Sequence, residues 1–260
     1  MVGGFDPEAG VPLLDVLFLD TRRGFAIGAY SLLLETTDGG ASWNSRFLSE
    51  EAVQGGGGDG ADDGFGPDDV ADAGDGAAPG DDGFDDGDDW NFSADDLMLD
   101  AEDDPHLNAI VRTDSGALLI AAERGTMFRS LDDGRSWERF RLPYEGSMFG
   151  VLAWGGDHVL ALGLRGNVFE SFDLGDSWQR LETGTEASLM GGLAMPGGAA
   201  LLVGNEGVML WRAGSGQPFT ELTHTNAEGE TPVLSGAAAR DDGSFILVGE
   251  RGADHTQRLD

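Results

Sequence analysis

The chain has no cysteine, and all 15 of its basic residues are arginine. Without cysteine there is no disulfide framework and no thiolate zinc site, which leaves every cellular compartment open. The four histidines, His106, His158, His224 and His255, are scattered without metal-ligand spacing. There are two tyrosines, Tyr30 and Tyr144. No apolar run is long enough to span a membrane. Met1–Gly10 lacks the basic and apolar regions of a signal peptide. The formal charge is −33, which argues strongly against nucleic acid as a partner. No phosphate loop, dinucleotide fingerprint or Ser-His-Asp ordering appears, so no cofactor, no metal and no catalytic residue are expected.

The acid is unevenly placed. Residues 51–104 hold 20 Asp/Glu, 12 Gly and neither Lys nor Arg. Such a composition cannot bury enough apolar surface to fold, so this stretch is expected to be a disordered insertion. Three regions follow: 1–50 with an N-terminal segment and a first repeat, 51–104 as the insertion, and 105–260 with the remaining repeats. Asp-rich runs inside the insertion fit neither an EF-hand loop nor a glycine-rich nonapeptide repeat. An apolar cluster, Trp90–Leu99, could fold on binding a partner.

What the chain has is a repeat. Thr36-Thr37-Asp38-Gly39-Gly40-Ala41-Ser42-Trp43 recurs as Ser130–Trp137 and Ser171–Trp178, with a worn copy at Arg212–Phe219. Trp137, Trp178 and Phe219 are spaced by 41 residues. A second mark keeps the same phase: Gly28–Ser31, Ala122–Gly125, Gly163–Gly166, Gly204–Gly207 and Gly249–Gly252 each hold a G-x-x-G-like turn. A fixed period of this length means one supersecondary unit stacked several times.

Between residues 147 and 181, four short runs alternate with Gly/Asp turns, as in an antiparallel meander. Residues 105–257 show no sustained helical period. The fold expected is all-β: a propeller of four-stranded antiparallel blades, with about five repeats, either a five-bladed ring or part of a seven-bladed one. In each motif the Asp can accept backbone N–H bonds, the Gly can take positive φ, and the Trp should pack on the neighbouring sheet. Asp38, Gly40, Trp43, Asp132, Gly134, Trp137, Asp173, Gly175 and Trp178 are therefore structural residues, with Trp137 and Trp178 largely buried between blades.

This motif is the Asp-box, or bacterial neuraminidase repeat. Gly24–Tyr30, Thr36–Gly40, Pro143–Ser147, Gly163–Phe169 and Thr183–Leu189 make the stretch from Pro12 to Gly252 resemble the photosystem II assembly and stability factor family, especially its relatives in non-photosynthetic bacteria. The resemblance implies a non-catalytic, exported, seven-bladed propeller that helps assemble or stabilise membrane protein complexes, transporters among them. It implies a protein client and a periplasmic location.

Hairpin turns alternate between the two faces of a propeller. The turns opposite the Asp-boxes carry Arg124, Arg165 and Arg251, with Glu206 in the fourth repeat. The loops between blades share that face and bring Tyr144, Glu145 and Glu186 beside them. Arg suits carboxylate or peptide recognition because its planar fork bonds in two places. Those six residues, Arg124, Arg165, Arg251, Tyr144, Glu145 and Glu186, form the candidate partner face. The alternative is an Asp-box glycoside hydrolase of sialidase type, with Tyr144 and Glu145 as the possible pair. The inward strands argue against it, since Asp15 is their only carboxylate.

Overall fold

The computed structural model describes residues 11–48 and 104–259. The expected insertion and its Trp90–Leu99 cluster lie almost wholly outside the described residues. The architecture is the expected all-β propeller of antiparallel blades. Blade 1 is β1 (Leu13–Phe18), β2 (Gly24–Gly28), β3 (Leu32–Thr36) and β4 (Asn44–Phe47). Blade 2 is β5 (Leu107–Arg112), β6 (Leu118–Ala122), β7 (Thr126–Ser130) and β8 (Glu138–Arg141). Blade 3 is β9 (Met148–Ala153), β10 (Val159–Gly163), β11 (Val168–Ser171) and β12 (Gln179–Leu181). Blade 4 is β13 (Leu189–Met195), β14 (Ala199–Gly204), β15 (Val208–Arg212) and β16 (Thr220–Thr223). Blade 5 has three strands, β17 (Leu234–Ala239), β18 (Phe245–Gly249) and β19 (Gly252–His255).

The strands are short because Gly and Asp interrupt them, and in blades 2, 3 and 4 both faces are apolar because each of these blades has a neighbour on both sides. Phe25, Ile27 and Leu33 of blade 1 meet Ile110, Leu118, Ile120 and Phe128 of blade 2. Leu119, Ala121 and Met127 of blade 2 meet blade 3, and the scheme repeats to Leu234, Phe245 and Leu247 of blade 5. The outward side of blade 5 leaves Ile246 at 39% and Val248 at 43% exposure, whereas the equivalent Val203 of blade 4 is fully buried.

The G-x-x-G mark has a steric cause. A Cβ at Gly28, Gly163, Gly204 or Gly249 would sit 2.0–2.2 Å from the carbonyl oxygen of Pro12, Ser147, Ser188 or Val233, each just before the innermost strand. The second glycine has positive φ and faces the loop to the next blade: a Cβ on Gly166 would lie 2.1 Å from Thr185 O. Blade 1 has Ser31 there instead, at φ 55°, and its hydroxyl donates to Pro105 O at 3.2 Å.

The innermost strands also explain Asp15. Its carboxylate accepts from Ile110 N in blade 2 at 2.9 Å and from its neighbour Val16 N. Asn108 likewise donates to Met148 O of blade 3 at 2.9 Å. Both polar side chains bind the backbone of the next blade.

Candidate functional site

The Asp-boxes are built as their residues require. Asp38 accepts from Ser42 N at 2.9 Å and from the Ser42 hydroxyl at 2.6 Å, while Thr36 Oγ1 accepts from Gly40 N at 2.9 Å. Asp132 with Ser136, and Asp173 with Ser177, repeat these bonds. All three carboxyls are held near a pKa of about 2, below an ordinary 3.8. At Asp38 and Asp173 the Ser42 and Ser177 hydroxyls are the chief cause. At Asp132 burial pushes upward but is outweighed by the Ser136 N–H and hydroxyl. Gly40, Gly134 and Gly175 all have positive φ.

Gly134 and Gly175 also seat an aromatic ring from the preceding blade. Phe25 packs on Gly134 and edge-on to Trp137, and Phe140 packs on Gly175 and stacks with Trp178. Blade 1 fills the corresponding seat at Gly40 and Trp43 with its own Phe18. Trp137 is 6% exposed, as expected. Trp178 corrects the expectation: it is only half-buried.

Arginines tie the second and third boxes to the blade before each. Arg23 donates to Asp133 O at 2.7 Å, Arg46 to Gly134 O and Arg135 O, and Arg129 to Leu174 O. The worn fourth copy uses a different device. Arg212 stands where the others have Ser or Thr, and its Nη1 lies 2.8 Å from Glu170 of blade 3. His158 Nε2 meets the same carboxylate oxygen at 2.7 Å. Arg212 also donates through Nε to Gly198 O and lies over the rings of Trp154 and Phe219. No motif links the members of this triad, so it is visible only in the folded chain.

On the opposite face, the β10–β11 turn and the loop after β12 enclose a cleft of about 700 Å³. It is lined by Tyr144, Arg165, Arg180, Glu182, Thr185 and Glu186, among others. Arg165 has φ 55° and Gly166 φ 68°, the conformation of a tight hairpin turn. Asn167 Nδ2 donates to Leu164 O at 2.9 Å and fixes that turn. Thr183 Oγ1 donates to Gly166 O at 2.9 Å, and Arg165 N donates to Ser188 Oγ at 3.3 Å. The rim is thus stapled in place with both guanidinium-bearing side chains, Arg165 and Arg180, exposed.

Three of the six candidate residues, Tyr144, Arg165 and Glu186, therefore share one cleft. Arg124 occupies the equivalent turn of blade 2, at φ 56°. Arg251 belongs to a separate hollow at blade 5 and pairs with Glu230 at 3.4 Å. Glu145 is exposed and is not part of the cleft lining. Sequence reasoning missed Arg180, which lies in an outer strand without a turn signal. The 41-residue phase, which places Arg139 at the same position in blade 2, could have found it. The Tyr144 hydroxyl donates to Leu164 O at 3.1 Å, so it points to the next blade's turn and away from any role beside Glu145. Among the described residues no group of His, Asp and Glu could hold a metal ion. Among them, no helix is long and apolar enough to cross a membrane.

Repeated four-stranded sheets carrying these boxes define an Asp-box β-propeller. Residues 6–54 match the family model described as Photosynthesis system II assembly factor YCF48. Over 41 residues the chain is 49% identical to the Photosystem II assembly lipoprotein Ycf48 of Prochlorococcus marinus, covering 16% of this chain and 12% of that protein. Over 43 residues it is 46% identical to a chloroplast Photosystem II stability/assembly factor of Arabidopsis thaliana, covering 16% and 11%. The match thus spans about an eighth or less of these relatives' length. The solved structure "YCF48 bound to D1 peptide" is similar with a TM-score of 0.60 at 19% identity, over 95% of this chain and 63% of that one. YCF48 from Cyanidioschyzon merolae gives 0.61 at 16% identity, over 96% and 68%. The chain is similar to these assembly factors in sequence around its first repeat and in fold throughout.

Proposed function

We propose that this propeller is a non-catalytic assembly or stability factor that holds an exposed peptide segment of a client protein in the Arg165 cleft. The client is a membrane protein or a membrane complex, with transporters a candidate class, and the work is done on the extracytoplasmic side. The observation that carries this reading is the cleft itself. Two exposed guanidinium groups, Arg165 and Arg180, line it together with Glu182 and Glu186, and its turn is fixed by side-chain-to-backbone bonds. Such a mixed-charge groove suits an extended polar segment with acidic side chains, which arginine grips bidentately. A prebuilt rim limits the ordering cost of binding. The named relatives are assembly factors, one of them described with a bound peptide and one as a lipoprotein.

Retention of a client from detergent-solubilised membranes tests the proposal. The protein should retain one, and an Arg165→Glu/Arg180→Glu variant with an unchanged melting curve should not. Equal retention by both would contradict it. Hydrolysis of a sialoside by the purified protein would favour the glycosidase alternative instead.

A further inference from the structure

Blade 3 carries a column of stacked planar groups that its neighbours lack. Trp154 stacks on His158 with ring centroids 4.4 Å apart, and Phe172 stacks on the other face of His158, also at 4.4 Å. The Arg212 guanidinium continues the column between Trp154, at 5.4 Å, and Phe219, at 5.2 Å. The outer end is Phe172, whose side chain is 58% exposed. The fold does not ask for that ring. By the 41-residue phase its position holds Leu131 in blade 2 and Ala213 in blade 4, and the box bonds of blade 3 run through Ser171, Asp173 and Ser177. Trp154 and His158, which stand where blade 2 has Thr113 and Ala117, serve Arg212 and Glu170. Phe172 serves neither. Elsewhere arginine lies over phenylalanine: Arg23 over Phe25, Arg129 over Phe140 and Arg139 over Phe128. Among the described residues no guanidinium lies over Phe172.

The unpaired charge beside the column is of one sign. Asp157, next to His158, accepts from Leu174 N through its carbonyl at 3.1 Å and so lies against the turn that bears Phe172. Asp114, with Trp154 and His158, lines a cleft of about 530 Å³. Both Asp114 and Asp157 are exposed, and neither carboxylate is paired among the described residues. The arginines that reach this face from blade 2 are engaged: Arg112 with Asp133, Arg129 with Asp176 and Arg135 with Asp132 O.

We propose that Phe172 and the adjoining cleft form a second docking site, on the Asp-box face, for an arginine-bearing segment of a partner protein. The partner's guanidinium stacks on the open face of Phe172 as the next planar member of the column. Asp157 and Asp114 supply the carboxylates for its N–H groups. Lysine would meet the same charges but has no plane to stack. Phosphate-bearing partners are repelled, since no free cation is on offer beside the ring. The site lies on the face opposite the Arg165 cleft, shares no residue with it and does not rest on the function proposed there.

A fluorescein-labelled peptide, Gly-Ser-Arg-Gly-Arg-Gly, tests the site at physiological ionic strength, where loose attraction to a net charge of −33 is screened. Anisotropy should show saturable binding, weaker for the same peptide with lysine, or with the planar but neutral citrulline, in place of arginine. Phe172→Leu gives blade 3 the side chain that blade 2 carries at this position, so the melting curve should not change. It should weaken binding at least about threefold, whereas Phe172→Tyr should retain it. Asp114→Asn with Asp157→Asn should weaken it as well, and Arg165→Ala should leave it unchanged. Absence of saturable binding, equal affinity of the arginine and lysine peptides, or equal affinity of the protein and its Phe172→Leu variant would overturn the proposal. The last result would mean that net charge alone holds the peptide.

Discussion

Arg212 of blade 4 places its Nη1 2.8 Å from Glu170 of blade 3, with the two side chains 1% and 4% exposed. The pair holds the one box that lacks both its Ser/Thr and its Asp. Burial opposes the Glu170 charge, but His158 and Arg212 outweigh it and keep the carboxyl below its ordinary value. Removing one member strands the other in a site with little water. Arg212→Met should therefore cost about 3–5 kcal/mol in a denaturant melt. Adding Glu170→Gln to it should cost less than the two single changes together, because the uncompensated charge is gone.

Acid should act on the Asp-boxes. Asp38, Asp132 and Asp173 have folded pKa values of about 2 against an ordinary 3.8. A depressed carboxylate contributes stability that is full above its unfolded value and is lost as pH falls through the folded one. Stability should thus decline between about pH 4 and pH 2. Melting curves across that window, run on the protein and on Asp173→Asn, should show a shallower decline in the variant.

The two tryptophans of identical motifs should separate. Trp137→Ala removes a ring packed on Phe25 and should cost about 3–5 kcal/mol. Trp178→Ala should cost distinctly less, since that ring is half-buried. Equal shifts in melting temperature would mean the Trp178 seat is as deep as that of Trp137.

Glycines with positive φ should also divide. Gly166→Ala adds a Cβ 2.1 Å from Thr185 O and should cost well over about 1 kcal/mol. Gly156→Ala meets nothing within 4 Å and should cost only about 1 kcal/mol for its φ. Thermal melts of the two variants compare them directly.

Much of this architecture is legible in the sequence, because it is enforced at each repeat by local chemistry. A box needs Asp and Gly within one turn, and the β2–β3 type of turn needs glycine against a carbonyl. Those demands recur at 41 residues through blades 2 to 4 and at 45 into blade 5, and show as motifs. What crosses between blades does not. Arg212 reads as a degraded Ser/Thr, and its partners Glu170 and His158 are tens of residues away with no spacing rule. Arg180 sits in a short strand with no turn signal, and only its 41-residue offset from Arg139 marks it. The ring that stacks on Trp178 is Phe140, a residue of another blade. The clustering of Tyr144, Arg165 and Glu186, with Arg124 and Arg251 elsewhere, needs the curvature of the whole array.

A client seated on the Arg165 face should be within reach of a cross-linker placed there. A photo-reactive residue placed at Thr185, inside the cleft, reports contact there, and one at Ser42, in an Asp-box on the opposite face, serves as its counterpart. In intact cells, irradiation should attach a membrane protein to the Thr185 probe, and Arg165→Glu should abolish that product. The Ser42 probe should yield none of it. The same product from both probes, or one at Thr185 that survives Arg165→Glu, would contradict the account.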